Sequence, residues 1–180
     1  QPDFATASTL PTAINTLNSP MGLITDANDN LVVADHGNNR ILIYEWNDAG
    51  SIGPFASWVI GQEIGDSPND IFTSNAAPDP PTRNSLNGPT DVAAGALGNE
   101  VYVADTGNNR IMIFNDDPPD LIADGLIGQP DYTSNTPNNG GLSASSLFMP
   151  MGVEIDAGNR LYVADTGNQR VLVFDQVRPD

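Results

Sequence analysis

Three acid–base pairs recur along this chain at one spacing: Asp35 with Arg40, Asp105 with Arg110, and Asp165 with Arg170. Four residues separate the partners each time, Thr106-Gly-Asn-Asn109 in the second copy, so a tight turn sets the two side chains opposite each other. The carboxylate could accept N–H groups of the turn, Gly107 could supply a positive φ, and the guanidinium suits a bidentate contact. As chemistry, such pairs could ring a channel and hold a charged ligand. Their return in every copy favours a structural role. His36, the one histidine, stands where the other copies carry Thr106 and Thr166. A catalytic histidine needs a partnered nucleophile or orienting acid. Asp35 is adjacent but already committed to its turn, so His36 is expected to be an exposed turn variant.

Asp26-Ala-Asn28-Asp-Asn30 matches the D-x-[DN]-x-[DN] opening of a calcium loop, with oxygen-bearing side chains spaced to converge on a hard cation. Leu31 follows where a glycine is needed, and no bidentate Glu closes the loop. The corresponding turns, 94–99 and 156–160, drop most of the oxygens. An ordinary Asx-rich turn is the expected reading, with calcium at Asp26, Asn28 and Asn30 as the alternative and no other cofactor. A different metal arrangement would need the acids at the inner strand ends, Asp26, Asp91, Glu154 and Asp156, to converge in a channel. Asp116-Asp117 is one more place for a cation.

Composition removes much other chemistry. Twenty-three acidic residues face six basic ones, all Arg, giving a formal net charge of −17 over 180 residues. So negative a surface repels phosphate backbones and anionic headgroups, so neither nucleic acid nor a membrane surface is an expected partner. No cysteine means no disulfide framework, thiolate metal site or Cys nucleophile. One histidine excludes a multi-histidine zinc site. No apolar run approaches the roughly 18 residues of a membrane span. Gly 17, Pro 15 and twenty Asn point to many turns and little helix, while 39% hydrophobic residues suffice for a core.

The elements that must position these residues are repeated. Residues 20–45 read PMGLITDANDNLVVADHGNNRILIYE, residues 89–115 read PTDVAAGALGNEVYVADTGNNRIMIFN, and residues 150–175 read PMGVEIDAGNRLYVADTGNQRVLVFD. A fainter repeat lies between them, Trp58-Val-Ile-Gly-Gln62 and Leu126-Ile-Gly-Gln129, and the opening Gln1-Pro2-Asp3-Phe4 matches Gln129-Pro-Asp-Tyr132. Turn signals divide the first unit into strands over Gly22–Thr25, Leu31–Asp35, Arg40–Glu45 and Ala56–Gly61. The second and third strands are apolar on both faces, so both faces are predicted to be covered. Four-stranded antiparallel sheets covered by their neighbours are what a β-propeller supplies.

The pattern P-x-G-hydrophobic, then Y-V-A-D-T-G-N-N-R-hydrophobic, resembles the NHL repeat family of β-propellers. Val103–Arg110 and Val163–Arg170 differ only at Asn109 against Gln169. The resemblance implies an all-β propeller, most often six-bladed, and no particular chemistry. Three units then form about three four-stranded blades, over roughly 20–62, 89–129 and 150–180, half of a six-bladed ring. The amidating lyases among NHL-like propellers hold zinc with several histidines, a set this chain lacks. The long connections 66–87 and 131–146 are expected to be coil packed over the blades. Phe4, Phe72 and Tyr132, at matching points, are expected to plug between blades rather than stack ligands.

The third unit stops before its next strand, so the third blade is expected to lack an outer strand. A chain opening at Gln1 rather than Met is expected to be processed, a fragment, or part of a longer chain. An unclosed blade array leaves an apolar sheet face open. Completion by further blades, by a homodimeric ring or by a head-to-tail polymer is therefore expected. The reading that follows is a non-enzymatic scaffold or binding segment, extracellular or on the cell surface of a prokaryote, with itself as partner. Salt or divalent cations should favour its association by screening the carboxylates. The alternative is a metal-dependent hydrolase or lyase with an acidic channel.

Overall fold

In the computed structural model, residues 16–47, 51–52, 55–62, 74–95, 100–115 and 122–175 are described. Thirteen strands occur among them. β1 (Leu23–Thr25), β2 (Leu31–Asp35) and β3 (Arg40–Tyr44) are followed by a small hairpin, β4 (Trp46–Asn47) with β5 (Ser51–Ile52), and then β6 (Trp58–Ile60). β7 (Pro89–Ala94), β8 (Val101–Asp105), β9 (Arg110–Phe114) and β10 (Gly125–Ile127) form the second group. β11 (Pro150–Ile155), β12 (Arg160–Asp165) and β13 (Arg170–Asp175) form the third. The sheets have the orders β1-β2-β3-β6, β7-β8-β9-β10 and β11-β12-β13, with every neighbouring pair antiparallel. The third sheet thus has three strands among the described residues, without the outer one.

The sheets stack face on face, and the two-sided apolar strands are the reason. One face of sheet 1 (Val32, Ala34, Ile41, Ile43) meets one face of sheet 2 (Val92, Val103, Met112, Phe114) in a single buried cluster. The other face of sheet 2 (Tyr102, Ala104, Ile111, Ile113) packs on sheet 3 (Val153, Leu161, Val163) in a second. Side chains alternate between faces along each strand, so consecutive residues serve opposite interfaces. We call these sheets blades 1, 2 and 3, and in each the face turned toward the next is its forward face.

Three strand limits are shorter than their sequence expectations. β1 begins at Leu23, and Gly22 instead bonds singly to Ala34, its carbonyl accepting that N–H at 2.8 Å. β3 ends at Tyr44 rather than Glu45. β6 covers Trp58–Ile60 because Gly61 turns away at φ +96°.

Candidate functional site

Each blade closes β2–β3, β8–β9 or β12–β13 with one turn of 3-10 helix and then a residue in the left-handed region: Asn39, Asn109 and Gln169, all at φ 54°. The positive φ thus falls on the Asn or Gln before the arginine. The preceding glycine, expected to supply it, serves close approach instead. Gly107 donates its N–H to Asn87 O at 2.9 Å, and a Cβ there would strike Asn87; Gly37 and Gly167 stand likewise against Asn18 and Phe148.

The Asp–Arg pairs form at the base of these turns. Arg40 Nε lies 2.8 Å from Asp35 Oδ2, and Arg110 Nε and Arg170 Nε lie 2.7 Å from Asp105 and Asp165. The contact runs through Nε to one oxygen, not through the expected two-pronged pairing. Asn38, Asn108 and Asn168 side chains share that oxygen. The other oxygen accepts the backbone N–H of Asn18, Asn87 or Phe148 in the chain entering the blade, not an N–H of the turn. The rest of the guanidinium ties down backbone: Arg110 donates to Tyr132, Thr82 and Ser85 carbonyls, Arg40 to Thr16 and Arg170 to Ser146. Asp105 and Arg110 are wholly buried, and burial pushes the Asp105 pKa up despite the opposing charge of Arg110. These pairs are latches holding blade, turn and connection together, and they line no channel.

Two residues in the fainter repeat join the same latch. Gln62 Nε2 donates to the carbonyls of Asn38 and Asn39, and Gln129 Nε2 to those of Asn108 and Asn109. The sequence signal for them was the repeated Ile-Gly-Gln, which by itself gave no role. Tyr132 packs against the cluster of blades 1 and 2 with Arg83 5.2 Å above its ring, consistent with a plug. Phe4 and Phe72 lie outside the described residues, as do Asp116-Asp117 and most of the 94–99 turn.

The turns also make the joints between blades. Asn39 Oδ1 accepts Gly88 N–H at 2.7 Å, and Asn109 Oδ1 accepts Met149 N–H at 2.8 Å. Their Nδ2 groups donate at 2.9 Å to Asn75 and Asn135 carbonyls. His36 Nδ1 lies 3.3 Å from Pro89 O, where Thr106 Oγ1 in the next turn donates to Pro150 O at 2.6 Å. His36 is therefore half-buried in a joint, over Gly88, rather than exposed.

The acids expected in a metal site have separate duties. Asp26 Oδ1 accepts the N–H groups of Asn28 and Asn30, and its Oδ2 accepts the Asn30 side chain at 2.9 Å. Asn30 Oδ1 accepts Trp46 N–H. This is an Asx turn whose oxygens are occupied by its own donors. Asp156 repeats the design: the N–H of Arg160, the Arg160 guanidinium, Tyr162 and the N–H of Gly158 hold its carboxyl down at about 2. Asp91 reaches forward to Val153 N–H at 3.0 Å, fitted between blades where neighbours carry Gly22 and Gly152. Glu154 is exposed on blade 3. Among the described residues no three His, Cys, Asp or Glu side chains are grouped to hold a metal ion, and no helix is long and apolar enough to cross a membrane.

Stacked antiparallel sheets, each latched by its own turn and pegged to the next, are blades of a β-propeller, here a partial one. The repeat itself is the NHL repeat: residues 86–114 and 149–174 match that family's model, and the chain is an NHL-repeat protein. Among solved structures it is similar to an auxiliary nutrient binding protein from Bacteroides thetaiotaomicron, with TM-score 0.53 and 11% identity over 79% of this chain and 33% of that one. A putative 6-phosphogluconolactonase from Bacteroides uniformis gives TM-score 0.50 and 12% identity over 88% and 39%. Virginiamycin B lyase from Staphylococcus aureus gives TM-score 0.44 and 17% identity over 91% and 45%. The chain spans less than half the length of each of these proteins, and identities this low bear on fold alone. No curated protein sequence matches it.

Proposed function

We propose that this chain is a non-catalytic propeller segment that acts outside the cell as a scaffold or binding module and is completed by self-association or by further blades. One observation carries the reading. The groups capable of chemistry are engaged in architecture: the Asp–Arg latches, His36 in a joint, and Asp26, Asp91 and Asp156 on backbone N–H groups. A lysine-free, cysteine-free surface with net charge −17 suits an exported protein. Fold likeness does not decide between binding and catalysis, because the same propeller serves both. The competing reading, a metal-dependent hydrolase or lyase, requires carboxylates that converge on an ion.

The test is turnover of lactone and ester substrates by protein dialysed against EDTA and by protein reloaded with calcium or zinc. We expect no turnover in any of these preparations. Turnover that EDTA abolishes and metal restores would replace this reading with the enzymatic one.

A further inference from the structure

We infer that the forward face of blade 3 docks on blade 1 of a second copy of this chain, through the contacts that join the blades within one copy. This rests on the scaffold reading above and names the partner and its residues.

The two internal joints define the contact. Forward-face residues of blade 2, Tyr102, Ala104, Ile111 and Ile113, are at most 2% exposed. Their counterparts in blade 3 are uncovered, with Val171 65% and Val173 51% exposed. The end blades of repeat proteins that stay single present a polar outer face; blade 3 presents two valines. Its polar pegs stand free as well. Thr106 and Asn109 are buried in their joint, whereas Thr166 and Gln169 are exposed. Thr166 bonds only to Ala164 O, and the Gln169 side chain makes no hydrogen bond among the described residues.

Blade 1 carries the matching sockets. Gly88 and Met149, whose N–H groups accept the pegs' carbonyl oxygens as partners, sit at φ 55° and 48°; Ser19, the same position in blade 1, sits at φ 50°. Pro20 holds the position of Pro89 and Pro150, the two carbonyls that receive His36 and Thr106. Beside them Met21 and Leu23 are 50% and 66% exposed, although Val92, in the Leu23 position of blade 2, is buried. The docked joint thus places Gln169 at Ser19 N–H, Thr166 at Pro20 O, and Val171 and Val173 toward Leu23. Continuity with two existing joints of the same design selects a second copy as the occupant, in a head-to-tail sense. Gln169 is one methylene longer than Asn39 and Asn109, so this joint reaches further than the internal ones.

Two variants break opposite halves: Val171→Asp with Val173→Asp, and Leu23→Asp. All three side chains are exposed, so circular dichroism should match the unaltered chain. We expect the unaltered chain to self-associate, and each variant alone to weaken association about tenfold or more and to run at 19.0 kDa. An equimolar mixture should form a one-to-one complex, since one intact blade 3 and one intact blade 1 remain. Association that survives either variant, or a mixture that stays at 19.0 kDa, would overturn the docking. So would an unaltered chain that never associates; the scaffold reading would then still be decided by its turnover assay.

Discussion

Arg110 fills a space in which every donor direction meets a carbonyl or a carboxylate, and no water can replace it. Removing one partner of a buried ion pair typically costs about 3–5 kcal/mol, because the other charge is stranded. Arg110→Ala should fall in that range by urea unfolding, whereas Arg170→Ala should cost less, since the Arg170 side chain is already 24% exposed. Equal losses would mean that the latch does not depend on burial. Asp156 gives a pH signature of definite sign. Its carboxyl is held at about 2, below the usual 3.8, so it contributes stability above pH 3.8 that is lost as pH falls toward 2. Asp156→Asn should flatten the stability curve in that window, measured by thermal unfolding against pH. The pairs themselves were legible in the sequence from spacing alone. Their remaining partners were not, because the N–H that Asp35 accepts belongs to Asn18, 17 residues upstream, and no local pattern announces it.

At the scale of the element, the turn between the two central strands of a blade does two jobs. It closes the hairpin, and its left-handed residue pegs the next blade. Asn109 is suited to both, tolerating φ 54° and offering an amide to Met149 N–H and Asn135 O. The two jobs separate by substitution. Asn109→Gly loses the peg but keeps an easy backbone, and Asn109→Ala loses the peg and adds left-handed strain of about 1–2 kcal/mol. Both should be destabilised, alanine more than glycine, by chemical denaturation; glycine equal to the unaltered chain would mean the amide contributes nothing. The strands were readable from their two-sided apolar pattern, which predicts cover on both faces and finds it in blades 1 and 2. The role of His36 was not readable. A histidine in a threonine position looks like a surface variant until blade 2 is seen packed beneath it.

At the scale of the molecule, the order of burial runs along the chain. The forward faces of blades 1 and 2 are sealed and that of blade 3 is open, so the energetics of the whole depend on what covers the last blade. The charge works against that cover. With net charge −17, copies repel one another at low ionic strength, so added sodium chloride should raise the associated fraction by shortening the Debye length. Light scattering that is unchanged from low to moderate salt would contradict this. The fold was legible because three units repeat the same turn and strands. The joint between copies was not, since it appears only when blade 3 is compared, position by position, with the blades already covered.

The central claim is that these blades are an architectural array built to be covered by another. Mass per particle by light scattering, over a concentration series at moderate salt, tests it most directly. The account predicts masses rising in whole multiples of 19.0 kDa, toward a dimer if two copies close a ring and toward long polymers if they do not. A particle that stays at 19.0 kDa at every concentration would contradict it.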